Sequence, residues 1–181
     1  IGGVTADIPS KSFSGREGSY VVYPGVYTVT PVAPSEYADS NPETVAVLDD
    51  GFGGNGSTVS LKATYNTKLT AAAIEAGQWA VDTCSTIPSN QNSWCPFAIQ
   101  SDAVTAVTGG SMPKALAPVS EEQPTVFRAT VVFTATYNNK YYMAGTQDVE
   151  AKVEIRAQLD DNQVLKLDAD GKPDFEVSFT R

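Results

Sequence analysis

From Phe127 to Tyr137 the chain alternates between apolar and polar residues, broken only at Val132. Phe127, Ala129, Val131, Phe133, Ala135 and Tyr137 occupy the odd positions, and Arg128, Thr130, Thr134 and Thr136 most of the even ones. The same period returns in Val149, Ala151, Val153, Ile155, Ala157 and Leu159, opposed by Glu150, Lys152, Glu154, Arg156 and Gln158. Period two places one set of side chains on each face of a strand, so both runs predict long strands with one dry and one wet face. Asn138-Asn139 is the expected turn between them. Val164–Leu167 and Phe175–Phe179 predict two further strands, joined by Asp168-Ala-Asp-Gly-Lys-Pro173. The whole reads as a four-stranded antiparallel meander.

Before these strands the period changes to that of a helix. Ile74, Gly77, Val81 and Cys84 recur at helical spacing, and Ala73 and Ala80 widen the stripe. Thr70 reads as the N-cap, with Leu69 and Ile74 as a hydrophobic staple, and the helix is expected to end near Cys84. Glycine in a helix interior costs about 1 kcal/mol relative to alanine, so Gly77 predicts close packing against a sheet. The helix would lie across the dry face.

Residues 1–63 predict short strands. Ser19–Tyr23 and Val26–Thr30 flank Pro24-Gly25, a pair suited to a type II turn. Thr44–Leu48 and Thr58–Ala63 form a second expected pair around the glycine-rich stretch Asp49–Gly56. Residues 101–124 read as a long connection containing a short strand at Ala103–Val107. The expected organisation is a small antiparallel β-module over 1–63 and a helix-plus-sheet domain over 64–181, an α+β fold.

Cys84 and Cys95 are the chain's two cysteines, and it has no histidine. A zinc site needs four ligands of those types, so the pair reads as a disulfide closing a short polar loop, with no metal. Such a loop should stabilise the fold by about 2–3 kcal/mol, and it points to an oxidising compartment outside the cytoplasm. The formal charge of −9 argues against nucleic acid and anionic membrane as partners. No run approaches the roughly 20 apolar residues of a membrane-spanning helix. The chain opens at Ile1-Gly2-Gly3 without a signal segment, so a signal or anchor is expected upstream.

The order of these features is familiar. Tyr23-Pro-Gly-Val-Tyr-Thr-Val-Thr30, then Lys68-Leu-Thr-Ala-Ala-Ala-Ile74, a helix running into Cys84, and Cys95-Pro-Phe97 ahead of long amphipathic strands together resemble the extracytoplasmic regions of actinobacterial membrane-anchored envelope proteins of unknown function. The helix-plus-sheet part is similar to cystatin-like and NTF2-like folds, with one main helix packed on a curved antiparallel sheet. The resemblance implies a location and a fold. It brings no catalytic, cofactor or ligand residues with it.

Without histidine, catalysis would fall to carboxylates, lysine, tyrosine or serine. The pairs Asp49-Asp50, Glu121-Glu122 and Asp160-Asp161 all lie in expected loops, where solvated charge is the ordinary role. Asp168-Ala-Asp170-Gly171 matches part of a calcium loop, but its ligand spacing fails and strands flank it, so a hairpin turn is expected. Gly51, Gly53, Gly54 and Gly56 lack the Lys-Ser/Thr ending of a phosphate loop. Trp79 and Trp94 bracket the disulfide and are expected to cover it in the core, whereas an exposed tryptophan there would mark a binding patch. Tyr137, Tyr141, Tyr142 and Trp94 make up the candidate binding surface, with cross-strand packing as the competing role of the tyrosines.

The leading expectation is a non-catalytic envelope module that binds or senses a ligand or protein, with no catalytic residues and no cofactor. Two alternatives stand beside it. One is an NTF2-like enzyme with a carboxylate or tyrosine in the sheet cone, and the other is a structural spacer.

Overall fold

The structure, a computed structural model, describes residues 24–30, 33, 35–47, 63–138, 145–161 and 164–180. The expected strand Ser19–Tyr23, the glycine-rich stretch Asp49–Gly56, nearly all of Thr58–Ala63, and Tyr141 and Tyr142 lie outside the described residues. The chain divides into two compact units, Ile1–Asn66 with Leu159–Val164, and Thr67–Gln158 with Leu165–Arg181.

The first unit contains two small antiparallel sheets. β1 (Gly25–Val29) pairs with β3 (Glu43–Val47), and β2 (Ala38–Ser40) pairs with β4 (Ala63–Tyr65). The expected strands at 26–30 and 44–48 are therefore present, each shifted by one residue, and pair with each other; the partners expected for them lie almost wholly outside the described residues. Tyr27 sits directly opposite Val45, an aromatic–β-branched contact of the kind that stabilises a ladder. A turn signal reports only its immediate neighbours and could not reveal this longer-range pairing.

In the second unit, helix α1 (Thr67–Cys84) buries Leu69, Ala73, Gly77, Ala80, Val81 and Cys84. It begins three residues ahead of the expected Thr70. Leu69 is fully buried and belongs to the first turn of the core stripe rather than to a staple outside it. Ile74 is only half-buried. A Cβ added at Gly77 would come within 2.8 Å of both Ile155 Cδ1 and Met112 Cε. The glycine thus permits the close helix-to-sheet approach that the sequence predicts.

The sheet is strongly curled. β7 (Gln123–Tyr137) and β8 (Gly145–Ala157) form its long central ladder, from Val126↔Arg156 to Tyr137↔Gly145. β9 (Phe175–Thr180) pairs with the far side of β8, while β5 (Val104–Gly109) and β6 (Pro118–Ser120) share the other edge of β7, one after the other. Phe133, Ala135, Val153 and Ile155 are fully buried, and Phe127 and Val131 nearly so. These are the odd positions of the alternation. The protein is an α+β fold with one helix on a curved antiparallel sheet.

Two connections differ from expectation. The turn expected at Asn138-Asn139 lies mostly outside the described residues, and Tyr137 is the register partner of Gly145. Gly145 has φ +95°, a left-handed conformation that glycine adopts without steric cost. Residues 101–124 hold the short strand expected at Ala103–Val107, seen as β5 with Val104 and Val107 buried, and add a second one, β6, that the sequence does not predict. Val164–Leu167 is not a strand of the meander: Leu165 is buried, but Leu167 forms only a single bridge to Pro173. The Asp168 carboxylate accepts the amides of Asp170 and Lys172, both at 2.9 Å. That turn closes too soon after Leu167 for a strand to extend.

Replacing both Cys84 and Cys95 with alanine should lower unfolding stability by about 2–3 kcal/mol, measured by urea denaturation. Gly109→Val should cost about 1–3 kcal/mol in the same assay. A Cβ at Gly109 would meet Ser85 Oγ at clashing range and Val81 Cγ1 at 2.6 Å, both at the C-terminal end of the helix.

Candidate functional site

The disulfide joins the last residue of α1 to the loop that follows it, with Cα atoms 5.7 Å apart. Both cysteines are buried, at 0% and 4% exposure. The loop is tied down from several directions. Asn90, itself buried, donates from Nδ2 to the Ile99 carbonyl, Tyr137 donates its hydroxyl to the Ala98 carbonyl at 3.0 Å, and Gln100 Nε2 donates to the Cys95 carbonyl. These bonds hold Trp94, the neighbour of Cys95, against the helix.

Trp94 stacks on Trp79 of α1, with ring centroids 6.1 Å apart and planes 8° from parallel. Its ring also stacks on Phe179 of β9, at 6.4 Å and 17°. Phe179 meets Phe133 edge-on at 5.7 Å. A ladder of four rings therefore runs from the core, at fully buried Phe133, to the surface at Trp79. Trp79 is 64% exposed. The expected core role holds for neither tryptophan in full, since Trp94 is half-buried and Trp79 faces solvent. The sequence carried a usable signal, because Trp79 falls on the helix face opposite Gly77 and Val81, in line with Glu75 and Asp82.

Of the expected binding residues, the structure groups Trp94 with Trp79 and Phe179. Tyr137 is 8% exposed, and burial pushes its phenol pKa up. Tyr141 and Tyr142 lie outside the described residues. Phe97 and Ile87, both on the disulfide-closed segment and its flank, are also exposed.

The sheet face away from the helix is polar. Arg128 donates to Glu154 at 2.7–2.8 Å across the β7–β8 ladder, and Arg156 donates to the same carboxylate at 3.0 Å. Hydrogen bonds from Arg128 and then Arg156 hold the Glu154 carboxyl below its ordinary 4.5. A surface depression of about 460 Å³ lies here, lined by Arg128, Thr130, Lys152, Glu154 and Thr180 together with Ala129 and Val153.

The two acidic pairs among the described residues lie in turns and connections. Glu121-Glu122 forms the tight exposed turn between β6 and β7, and Asp160 Oδ1 accepts the Val164 amide at 2.9 Å. Asp49-Asp50 lies outside the described residues. Among the described residues no three histidine, cysteine or acidic side chains group as metal ligands.

Glu154 gives the fold a defined acid limb. Its folded pKa is lowered, so its contribution is complete above the unfolded value of about 4.5 and is lost as pH falls through the folded value. Glu154→Gln should remove that dependence below about pH 4.5. At pH 7 it should cost no more than about 1 kcal/mol, since both arginines are largely exposed. Urea titrations of both proteins across pH 3 to 7 test this.

Comparisons with protein-family models, with curated proteins and with solved structures returned no match.

Proposed function

We propose that this protein is a non-catalytic extracytoplasmic domain of a membrane-anchored cell-envelope protein, and that it contacts a ligand or partner through the Trp79–Trp94 shelf. One observation carries the reading. A large aromatic ring, Trp79 of α1, is left 64% exposed at the end of a ring stack, backed by Trp94 on a loop held by a disulfide and by hydrogen bonds. Burying a tryptophan face is worth more than leaving it in water, so a rigidly presented one is a natural contact point.

Other features support the same reading. Apolar side chains fill the helix-facing side of the sheet, and the buried polar residues among those described are Asn90 and Thr125, neither an acid. A carboxylate general acid or base in the sheet cone would have to interrupt that apolar lining. The buried disulfide supports an oxidising compartment. Among the described residues no helix is long and apolar enough to cross a membrane, so the anchor belongs to sequence outside them. The resemblance to actinobacterial envelope proteins is part of this proposal.

Two measurements test it. In native cells, Cys84 and Cys95 should resist alkylation until the protein is denatured and reduced; free thiols would overturn the extracytoplasmic placement. Purified protein should co-sediment with isolated envelope, and Trp79→Ala should lose most of that binding while keeping its circular dichroism. Equal sedimentation of the two proteins would overturn the shelf as the contact surface.

A further inference from the structure

Among the described residues, the charged side chains within one turn of Trp79 on its own helix face are both acidic. Glu75 lies one turn before it and Asp82 one turn after, at the i−4 and i+3 positions that share a helix face, and both are exposed. Asp82 stands in the last turn of α1, where the helix dipole presents its negative end and a carboxylate is disfavoured. No basic residue occupies that turn. Gln78 Nε2 donates to Asp82 Oδ1 at 2.8 Å, which orients the carboxylate without neutralising it. For stability alone, this is the wrong charge at the wrong helix end. The face of an indole attracts cations for the same electrostatic reason, through the negative side of its quadrupole. Three sources of negative potential thus meet at one exposed ring on a chain of net charge −9.

We propose that Trp79, Glu75 and Asp82 form a docking point for a basic polypeptide segment, with a lysine or arginine side chain lying over the indole between the two carboxylates. The inference rests on the proposed binding function and names the chemistry of its partner. Charge complementarity selects this occupant. A second copy of the chain would bring like charges together, and a neutral glycan would stack on the ring while leaving both carboxylates without a counter-charge.

The test titrates the intact protein with a short arginine–glycine peptide and with its serine–glycine counterpart, following tryptophan fluorescence and calorimetric affinity. The arginine peptide should bind and the serine peptide should not, and affinity should fall steeply with added salt. Trp79→Leu should weaken binding about fivefold. The Glu75→Gln/Asp82→Asn double variant should weaken it about tenfold at low salt. All three side chains are exposed, so circular dichroism should show each variant folded. Absence of binding, or affinity unchanged in both variants, overturns the proposal. So does salt-independent quenching by an N-acetylglucosamine oligomer in place of the peptide. If envelope sedimentation still depends on Trp79 when the peptide fails, the cationic partner falls and the contact surface stands. If that dependence is also absent, both fall.

Discussion

The structure of the larger unit depends on how closely α1 approaches the sheet. At Gly77 the helix backbone comes so near β8 that even a methyl group would meet Ile155 and Met112 at 2.8 Å. That approach seals the dry face of β7 and β8, and fully buries Phe133, Val153 and Ile155. It also sets the height of the helix end above the sheet. Cys84 can then meet Cys95, and Trp79 can stand in line with Trp94 and Phe179. A larger residue at Gly77 would have to displace the ends of the Ile155 and Met112 side chains that pack there, disturbing the fit of the helix on the sheet.

The disulfide and the ring ladder work together. The covalent link fixes where the loop starts and ends, and the hydrogen bonds of Asn90 and Tyr137 fix its path between the helix and the sheet. Trp94 is thereby placed between a ring of the sheet and a ring of the helix. Its stacking supports Trp79 from beneath and limits the orientations that Trp79 can take. A rigid exposed aromatic loses little conformational freedom on contact with a partner, which is what gives such a residue weight at an interface. The opposite sheet face has another character. Arg128 and Arg156 share the single carboxylate of Glu154 there, so that cluster is net positive, opposite in sign to the carboxylates beside Trp79.

The architecture was largely legible in the sequence because period two and period 3.6 are local properties. Phe127 through Tyr137 and Val149 through Ala157 announce their buried face directly, and the helix announces its end near Cys84 and, through Gly77, its close approach, though not its first turn. Pairing was less legible. The Pro24-Gly25 turn signal pointed to a neighbouring partner that lies outside the described residues, and it carried no sign that β1 pairs with β3 across an intervening segment. Val164–Leu167 alternates over too few residues to distinguish a strand from a bridged turn. The site was legible only in part: the disulfide followed from a count of cysteines and histidines, whereas the exposure of Trp79 did not follow from the residue type.

The sequence by itself determined the periodic elements, the apolar face of each and the pairing of Cys84 with Cys95, since each depends on spacing along the chain. Tertiary structure alone decided that β1 pairs with β3, that β5 and β6 share the edge of β7, and that Trp94 lies between Trp79 and Phe179. Those outcomes depend on contacts between residues far apart in the chain, where many arrangements satisfy the same local pattern. The choice among them is made by which one packs the shared core without voids or unpaired polar groups.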